Sequence, residues 1–212
     1  TPIAHALDLQ LDPPGEGSLA GVRTLADEHE AVLIFDEVRS GFRVHIGGAQ
    51  ALYGITPDLT ALGKALANGY PLTALAGRAS IMDSSRSTFI SSTYFGNGMD
   101  MAAALQTLAH LEHSGALEHI AQLGTDLQRE MQGMVEAFGL PVTVSPYPQM
   151  PFLHFDPDLE QGQEPNRDRF YGRLAKEGVF AHPRHHGFLC WRHSAADMER
   201  VLEACRKACQ SV

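Results

Sequence analysis

The run Ala31-Val32-Leu33-Ile34-Phe35 is wholly apolar and ends abruptly in Asp36-Glu37. Five apolar residues closed by acids predict a buried parallel strand with a carboxylate at its C-terminal end. Upstream, residues 3–11 alternate apolar and polar positions as a strand does, and Asp12-Pro13-Pro14-Gly15-Glu16-Gly17 reads as a turn. Ser18 is the predicted N-cap of a helix to about His29, with Leu19, Val22, Leu25 and Ala26 on one face. Strand, helix and strand would form one βαβ unit with a right-handed crossover. A short run, Leu59-Thr60-Ala61-Leu62, then leads to Gly63-Lys64-Ala65, and residues 72–77 read as a return strand in the same sheet.

From Gly98 the period becomes helical, with Met101, Leu105 and Leu108 in step and an end near His113-Ser114-Gly115. A second long helix is predicted over 116–138, closed by Gly139-Leu140-Pro141. Beyond it the pattern predicts strands over 142–144 and 152–155, a helix over 167–177, a strand over 188–191 and a last helix over 195–208. Ser194 is the N-cap of that last helix. Residues 156–166 are polar and contain proline, which predicts a loop. The expected organisation is α/β: part of a large mixed or parallel-sheet domain over 1–113, a linking helix over 114–138 and a small α+β domain over 139–212.

Composition narrows the functional classes. The chain has 212 residues, 44% hydrophobic and 19% charged, which are ordinary values for a globular protein with a sizeable core. A net charge of −9 disfavours a nucleic-acid or anionic-membrane partner on electrostatic grounds. No apolar run is long enough to span a bilayer, and no basic-then-apolar leader opens the chain. Three cysteines, none in metal spacing, make a reducing cytoplasm the expected compartment. Cys205 and Cys209 are expected as neighbours on a helix surface.

Two residues carry the sharpest chemistry. Asp36, at a strand end and expected half-buried, needs a cation or a hydrogen-bond donor, because an isolated buried charge is costly. Lys64 sits among small residues beside a glycine turn, where desolvation would favour the neutral, nucleophilic amine. Read alone, each has a plainer account, Asp36 as a surface or capping acid and Lys64 as a turn lysine. Ser92-Thr93 ahead of Gly96-Asn97-Gly98 could meet a phosphate at a helix start, or be a loop with an N-cap. His182-Pro183-Arg184-His185-His186 has three readings: Arg184 as a carboxylate clamp, a histidine metal site, or a solvated loop.

The stretches LIFDEVRSGFR, PDLTALGKALANGYP with its trailing ALAGR, and ISSTYFGNGMDMAAAL together resemble the core of the class III aminotransferases. These are pyridoxal phosphate (PLP) enzymes of fold type I, and the branch most similar is that of glutamate-1-semialdehyde aminomutase. The resemblance implies Lys64 as the Schiff-base lysine and proton shuttle, and Asp36 as the partner of the cofactor's pyridine nitrogen. It further implies Val38 against the ring face and Thr93 on the phosphate of a neighbouring subunit's cofactor, hence a homodimer. The 28-residue separation of Asp36 and Lys64 matches the family spacing. Glu37 is expected to point away and to be structural, as is the turn Gly41-Phe42-Arg43. The substrates implied are a small-molecule amino donor and a carbonyl acceptor.

Three departures qualify that picture. Gly98 stands where many relatives have proline. His185 stands where the aminomutases carry a glutamate, which favours a transaminase over a 2,1-aminomutase. Compared with the family, roughly the first half is absent, so the chain is expected to be a fragment, or to assemble with a chain supplying that half. A non-catalytic role is the third possibility, against which the retention of both Asp36 and Lys64 speaks. No metal is expected.

Overall fold

The computed structural model describes residues 1–3, 11, 13–155 and 166–212. The predicted strand over 3–11 and the predicted loop over 156–166 lie largely outside them. The described residues fall into two compact units, Pro13–Leu117 and Glu118–Val212.

In the first unit the order is α1 (Ser18–Glu28), β1 (Ile34–Asp36), α2 (Gly48–Tyr53), β2 (Leu59–Leu62), β3 (Ala74–Gly77), α3 (Ala79–Met82) and α4 (Gly98–His113). The three strands form a sheet in the order β1-β2-β3. β1 and β2 run parallel, with Ile34 opposite Leu59 and Asp36 opposite Ala61. β3 returns antiparallel along β2, with Leu62 opposite Ala74, so the sheet is mixed.

β1 is shorter than the apolar run predicts, because the backbone at Leu33 is used differently. Its N–H donates to the Asp58 carboxylate at 2.8 Å, and its carbonyl accepts from the N–H groups of Asp58 and Leu59 at 2.8 and 3.1 Å. Asp58 is 2% exposed and also pairs with Arg23 of α1 at 2.9 Å and Arg78 at 2.7 Å. One buried carboxylate thus ties α1, the start of β1 and the end of β3 together. The Leu33 N–H bond first, and then the Arg23 guanidinium, hold this carboxyl below the usual aspartate range.

Two apolar stripes lie differently from their prediction. α1 is capped by Gly17 rather than Ser18 and has no buried residue; Val22 and Leu25 are exposed. In α4 the buried residues are Asp100 and Ala104, while Met101 and Leu105 are exposed. The face packed inward therefore runs through Asp100, Ala104 and Leu108. Periodicity identifies apolar faces, but it does not say which face finds a partner within the same unit.

The second unit contains α5 (Ala116–Phe138, apart from its first two residues), β4 (Val142–Val144), β5 (Leu153–Phe155), α6 (Asn166–Lys176) and α7 (Ala195–Cys209). Its core joins Leu127, Met131 and Val135 of α5 to Leu153 and Phe155 of β5, Phe170 and Leu174 of α6, and Cys205 of α7. The helix predicted as a connector thus contributes its apolar face to this core. Gly124 allows α5 to approach Pro148, whose carbonyl oxygen would collide with any Cβ at that position. α7 begins in a capping box, the Ser194 side chain accepting from Asp197 N–H while the Asp197 carboxylate accepts from Ser194 N–H. Cys205 and Cys209 are buried on the inner face of α7 instead of lying on a helix surface, and burial pushes the Cys205 thiol up to about 12.

The predicted strand over 188–191 is not a strand. Gly187 and Leu189 donate to the carbonyls of Pro151 and Gln149 at 2.9 and 3.0 Å, but proline has no N–H to return the bond at Pro151. The ladder is one-sided and stops there. Among the described residues, no helix is long and apolar enough to cross a membrane.

The depressed acidity of Asp58 has a defined pH signature. Its stabilisation is complete above the unfolded carboxyl value of about 4 and is lost as pH falls through the lower folded value. Asp58→Asn is expected to lower the thermal midpoint at pH 7, with the gap from the parent narrowing below about pH 4. Melting curves across pH 2–7 check this.

Candidate active site

The site is built by the parallel pairing of β1 and β2. Both strands run the same way, so Asp36 at the end of β1 and Lys64, two residues beyond the end of β2, leave the sheet at one edge. The Glu37 N–H donates to the Ala61 carbonyl at 2.9 Å, which carries the pairing one residue past the strand.

Alternation then divides the two acids. Glu37 is fully buried. Its carboxylate accepts from the N–H of Ala49 at 2.7 Å, from the Ser40 hydroxyl at 3.2 Å and from the N–H of Gln50 at 3.4 Å. These donors are the first turn of α2 and the turn after β1, so Glu37 pins the loop between them and its structural role stands. Gly48 makes this possible: it has φ +66, and a Cβ there would strike the Glu37 carboxylate.

Asp36 is exposed, not half-buried. Its Oδ1 accepts from the Val38 N–H at 3.0 Å, and no cation pairs with it among the described residues. Val38 leans toward the lysine turn: a methyl group placed on Gly63 would lie 3.5 Å from Val38 Cγ1.

Lys64 opens a 3-10 turn, Lys64–Ala67, after an extended Gly63. Its φ is +46, in the left-handed region that non-glycine residues seldom occupy. Such a backbone costs of order 1–3 kcal/mol and persists only where surrounding packing holds it. Leu66 and Ala67, both buried, supply that packing against Ala104 of α4, with Phe42, Leu62, Leu72 and Ala74 around them. The Lys64 side chain is exposed and has no ionic or hydrogen-bond partner among the described residues. An unpaired acid and an unpaired amine at adjacent strand ends fit a ligand with a cationic group at one end and a carbonyl at the other.

Thr93 is exposed, four residues ahead of the Asn97 cap of α4. That cap is well formed despite Gly98, the Asn97 side chain accepting from Met99 N–H at 3.1 Å. Arg184 belongs to the second unit, exposed in a turn where its N–H donates to His182 Nδ1 at 3.0 Å. The neighbouring histidines stack instead of converging: His185 on His186 at 4.4 Å, and His186 edge-on to Phe188 at 4.8 Å. No three metal-ligating side chains come together among the described residues.

Cavities among the described residues lie elsewhere. One of about 1120 Å³ in the second unit is walled by Met131, Phe152, Phe170, Leu189 and Val201. One of about 460 Å³ in the first unit adjoins Arg23 and Arg78. Neither is lined by Asp36 or Lys64, whose site is an open edge. The buried Asp100 was missed by sequence reasoning. The available signal was its place four residues before Ala104, on the inward stripe of α4.

The mixed α/β fold is that of PLP-dependent transaminases. The chain belongs to the class-III aminotransferases, whose family model matches residues 11–186. It is 39% identical over 213 residues to 3-aminobutyryl-CoA aminotransferase of Cloacimonas acidaminovorans, covering 100% of this chain and 51% of that protein. To a glutamate-1-semialdehyde 2,1-aminomutase of Brevibacillus brevis it is 36% identical, over 92% of this chain and 48% of that one. Among solved structures, the FumI protein of Sphingopyxis sp. MTA144 in its PLP internal aldimine form superposes with a TM-score of 0.90 at 30% identity. That match takes in 100% of this chain and 50% of FumI. The chain spans about half the length of the relatives it matches.

The Glu37 anchor can be tested apart from any chemistry. Gly48→Ala forces a positive φ on alanine and a methyl group into the carboxylate, and is expected to destabilise the first unit by about 1–3 kcal/mol. Denaturant melts check the size of the loss.

Proposed function

We propose that the protein to which this chain belongs is a PLP-dependent aminotransferase, with the reacting centre at the β1–β2 edge. The observation that carries this is the juxtaposition of Asp36 and Lys64 at adjacent parallel strand ends, each without an ionic partner among the described residues. Bound pyridoxal phosphate supplies an electron sink for charge developing at the carbon that bears the amino group. The Asp36 carboxylate would accept a charge-assisted hydrogen bond from the cofactor's protonated ring nitrogen, worth roughly 1.5–3 kcal/mol. Val38, bonded to Asp36 through its N–H, packs against the ring. The Lys64 amine would hold the cofactor and, once displaced by the incoming amino donor, would carry a proton between the donor's Cα and the cofactor's C4′ carbon.

Thr93 donates its hydroxyl to a cofactor phosphate, and the partner that brings the two together is a second copy of the chain. The supporting feature is the exposed apolar group Phe89, Ile90, Tyr94, Phe95, Met101 and Leu105, the kind of patch that marks an interface. Arg184 grips the carboxylate of the donor or acceptor. Transfer to a separate carbonyl acceptor is favoured over an internal amine shift by His185, which stands where the aminomutases carry an acid. The curated relatives include both kinds of enzyme. Dependence of turnover on an added keto acceptor separates the two. The three free cysteines support a cytoplasmic setting.

Lys64→Ala is expected to abolish the near-visible absorbance of the cofactor-loaded protein and its bleaching by borohydride. A band that survives removes Lys64 from the role. Asp36→Asn should retain cofactor yet lose turnover at least about tenfold, as steady-state kinetics will report. Arg184→Ala should raise KM for carboxylate-bearing substrates by about tenfold, leaving substrates without a carboxylate unaffected.

A further inference from the structure

His182-Pro183-Arg184-His185 forms a turn, closed by a bond from the His185 N–H to the His182 carbonyl at 3.4 Å. Pro183 occupies its second position, where a ring-fixed φ favours such turns. His182 then does what an aspartate or asparagine does in an Asx-turn. Its Nδ1 accepts from the N–H two residues on, that of Arg184, at 3.0 Å. The far side of the turn is fixed as well. His185 Nδ1 donates to the His186 carbonyl at 2.8 Å, and the two rings stack at 4.4 Å. His186 is 2% exposed and meets Phe188 edge-on at 4.8 Å. Gly187 and Leu189 are bonded in turn to the carbonyls of Pro151 and Gln149 ahead of β5.

Arg184 is the exposed residue that this frame carries, and its guanidinium has no ion pair among the described residues. His182, His185 and His186 border the large cavity of the second unit, and Arg184 does not. The imidazoles therefore brace the turn, and the guanidinium is left for a ligand. We propose that His182 is a positioning residue for Arg184, its Nδ1 fixing the backbone from which the guanidinium meets a substrate carboxylate. A guanidinium grips a carboxylate through two parallel bonds, so its direction matters, and a backbone ordered beforehand lowers the cost of binding. Given the reading above in which Arg184 grips that carboxylate, on which this rests, the His182 acceptor becomes a determinant of selectivity. It favours substrates that bear a carboxylate over those that lack one, without itself touching the substrate.

The test uses the whole cofactor-loaded enzyme and the variants His182→Ala, His182→Asn, Arg184→Ala and the double variant His182→Ala/Arg184→Ala. Calorimetry gives the dissociation constant of succinate, a carboxylate with neither amine nor ketone to react. Steady-state kinetics give KM and kcat for amino donors with and without a carboxylate, and thermal midpoints are measured alongside. His182→Ala is expected to weaken succinate about fivefold and to raise KM for the carboxylate-bearing donor by a like factor, the effect of one hydrogen bond. Its kcat, and its KM for the donor without a carboxylate, should match the parent. His182→Asn should restore both quantities, because a side-chain amide oxygen accepts the same N–H. The double variant should be no weaker than Arg184→Ala, since both residues act through one contact. Succinate affinity unchanged in His182→Ala, a loss that His182→Asn does not restore, or losses that add in the double variant would overturn the proposal. So would equal losses for both donors, which mark a purely structural role. His182→Phe, which keeps a ring without the acceptor, gives the same reading should His182→Ala not fold. A parent that binds succinate no better than Arg184→Ala does removes the Arg184 grip itself, and so is distinct from a grip that His182 fails to support.

Discussion

Everything in the first unit depends on the parallel pairing of two short strands. Because β1 and β2 run the same way, the chain leaves both at one edge, and residues 28 apart in sequence follow adjacent strand ends. An antiparallel pairing would send Asp36 and Lys64 to opposite ends of the sheet. The same alternation that presents Asp36 at the edge turns Glu37 inward, where backbone donors of α2 satisfy it. A single dipeptide thus supplies one acid to the scaffold and leaves the other available for chemistry.

The lysine turn shows how packing holds a backbone that local preference disfavours. Gly63 is extended, Lys64 is left-handed at φ +46, and Asn68 follows at φ +48. Phe42, also left-handed at φ +61, reaches the same cluster from the loop that Glu37 anchors. Leu66, Ala67 and Ala104 close it. The small side chain of Ala104 lets α4 come near, and the stripe that brings Ala104 inward also buries Asp100. Strain at the lysine, the packing beneath it and a buried acid one helical turn from that packing therefore belong to one arrangement.

The apolar surfaces left uncovered are as informative as the core. Val22 and Leu25 of α1, Ile34 and Leu75 on the sheet, and the group from Phe89 to Leu105 are exposed, in a chain that spans about half the length of its relatives. The second unit instead closes a core of its own around α5, β5, α6 and α7. The open edge holding Asp36 and Lys64 thus belongs to the unit that carries most of the exposed large apolar residues.

Much of this was legible in the chain itself. Helices with strong caps were read to within a residue or so, α7 from Ser194 and α5 from its closing Gly139, because capping and amphipathic period are local. The apolar run closed by Asp36-Glu37 located β1, and spacing within the family motifs marked Lys64. Tertiary structure decided the rest. It shortened β1, since Asp58, from a distant position, takes the Leu33 N–H. It cancelled the strand over 188–191, since its neighbour Pro151 cannot donate. It exposed Asp36, turned Met101 and Leu105 outward, and buried Asp100. Each of these outcomes depends on which surface meets which, and a linear pattern of apolar and polar residues does not record that.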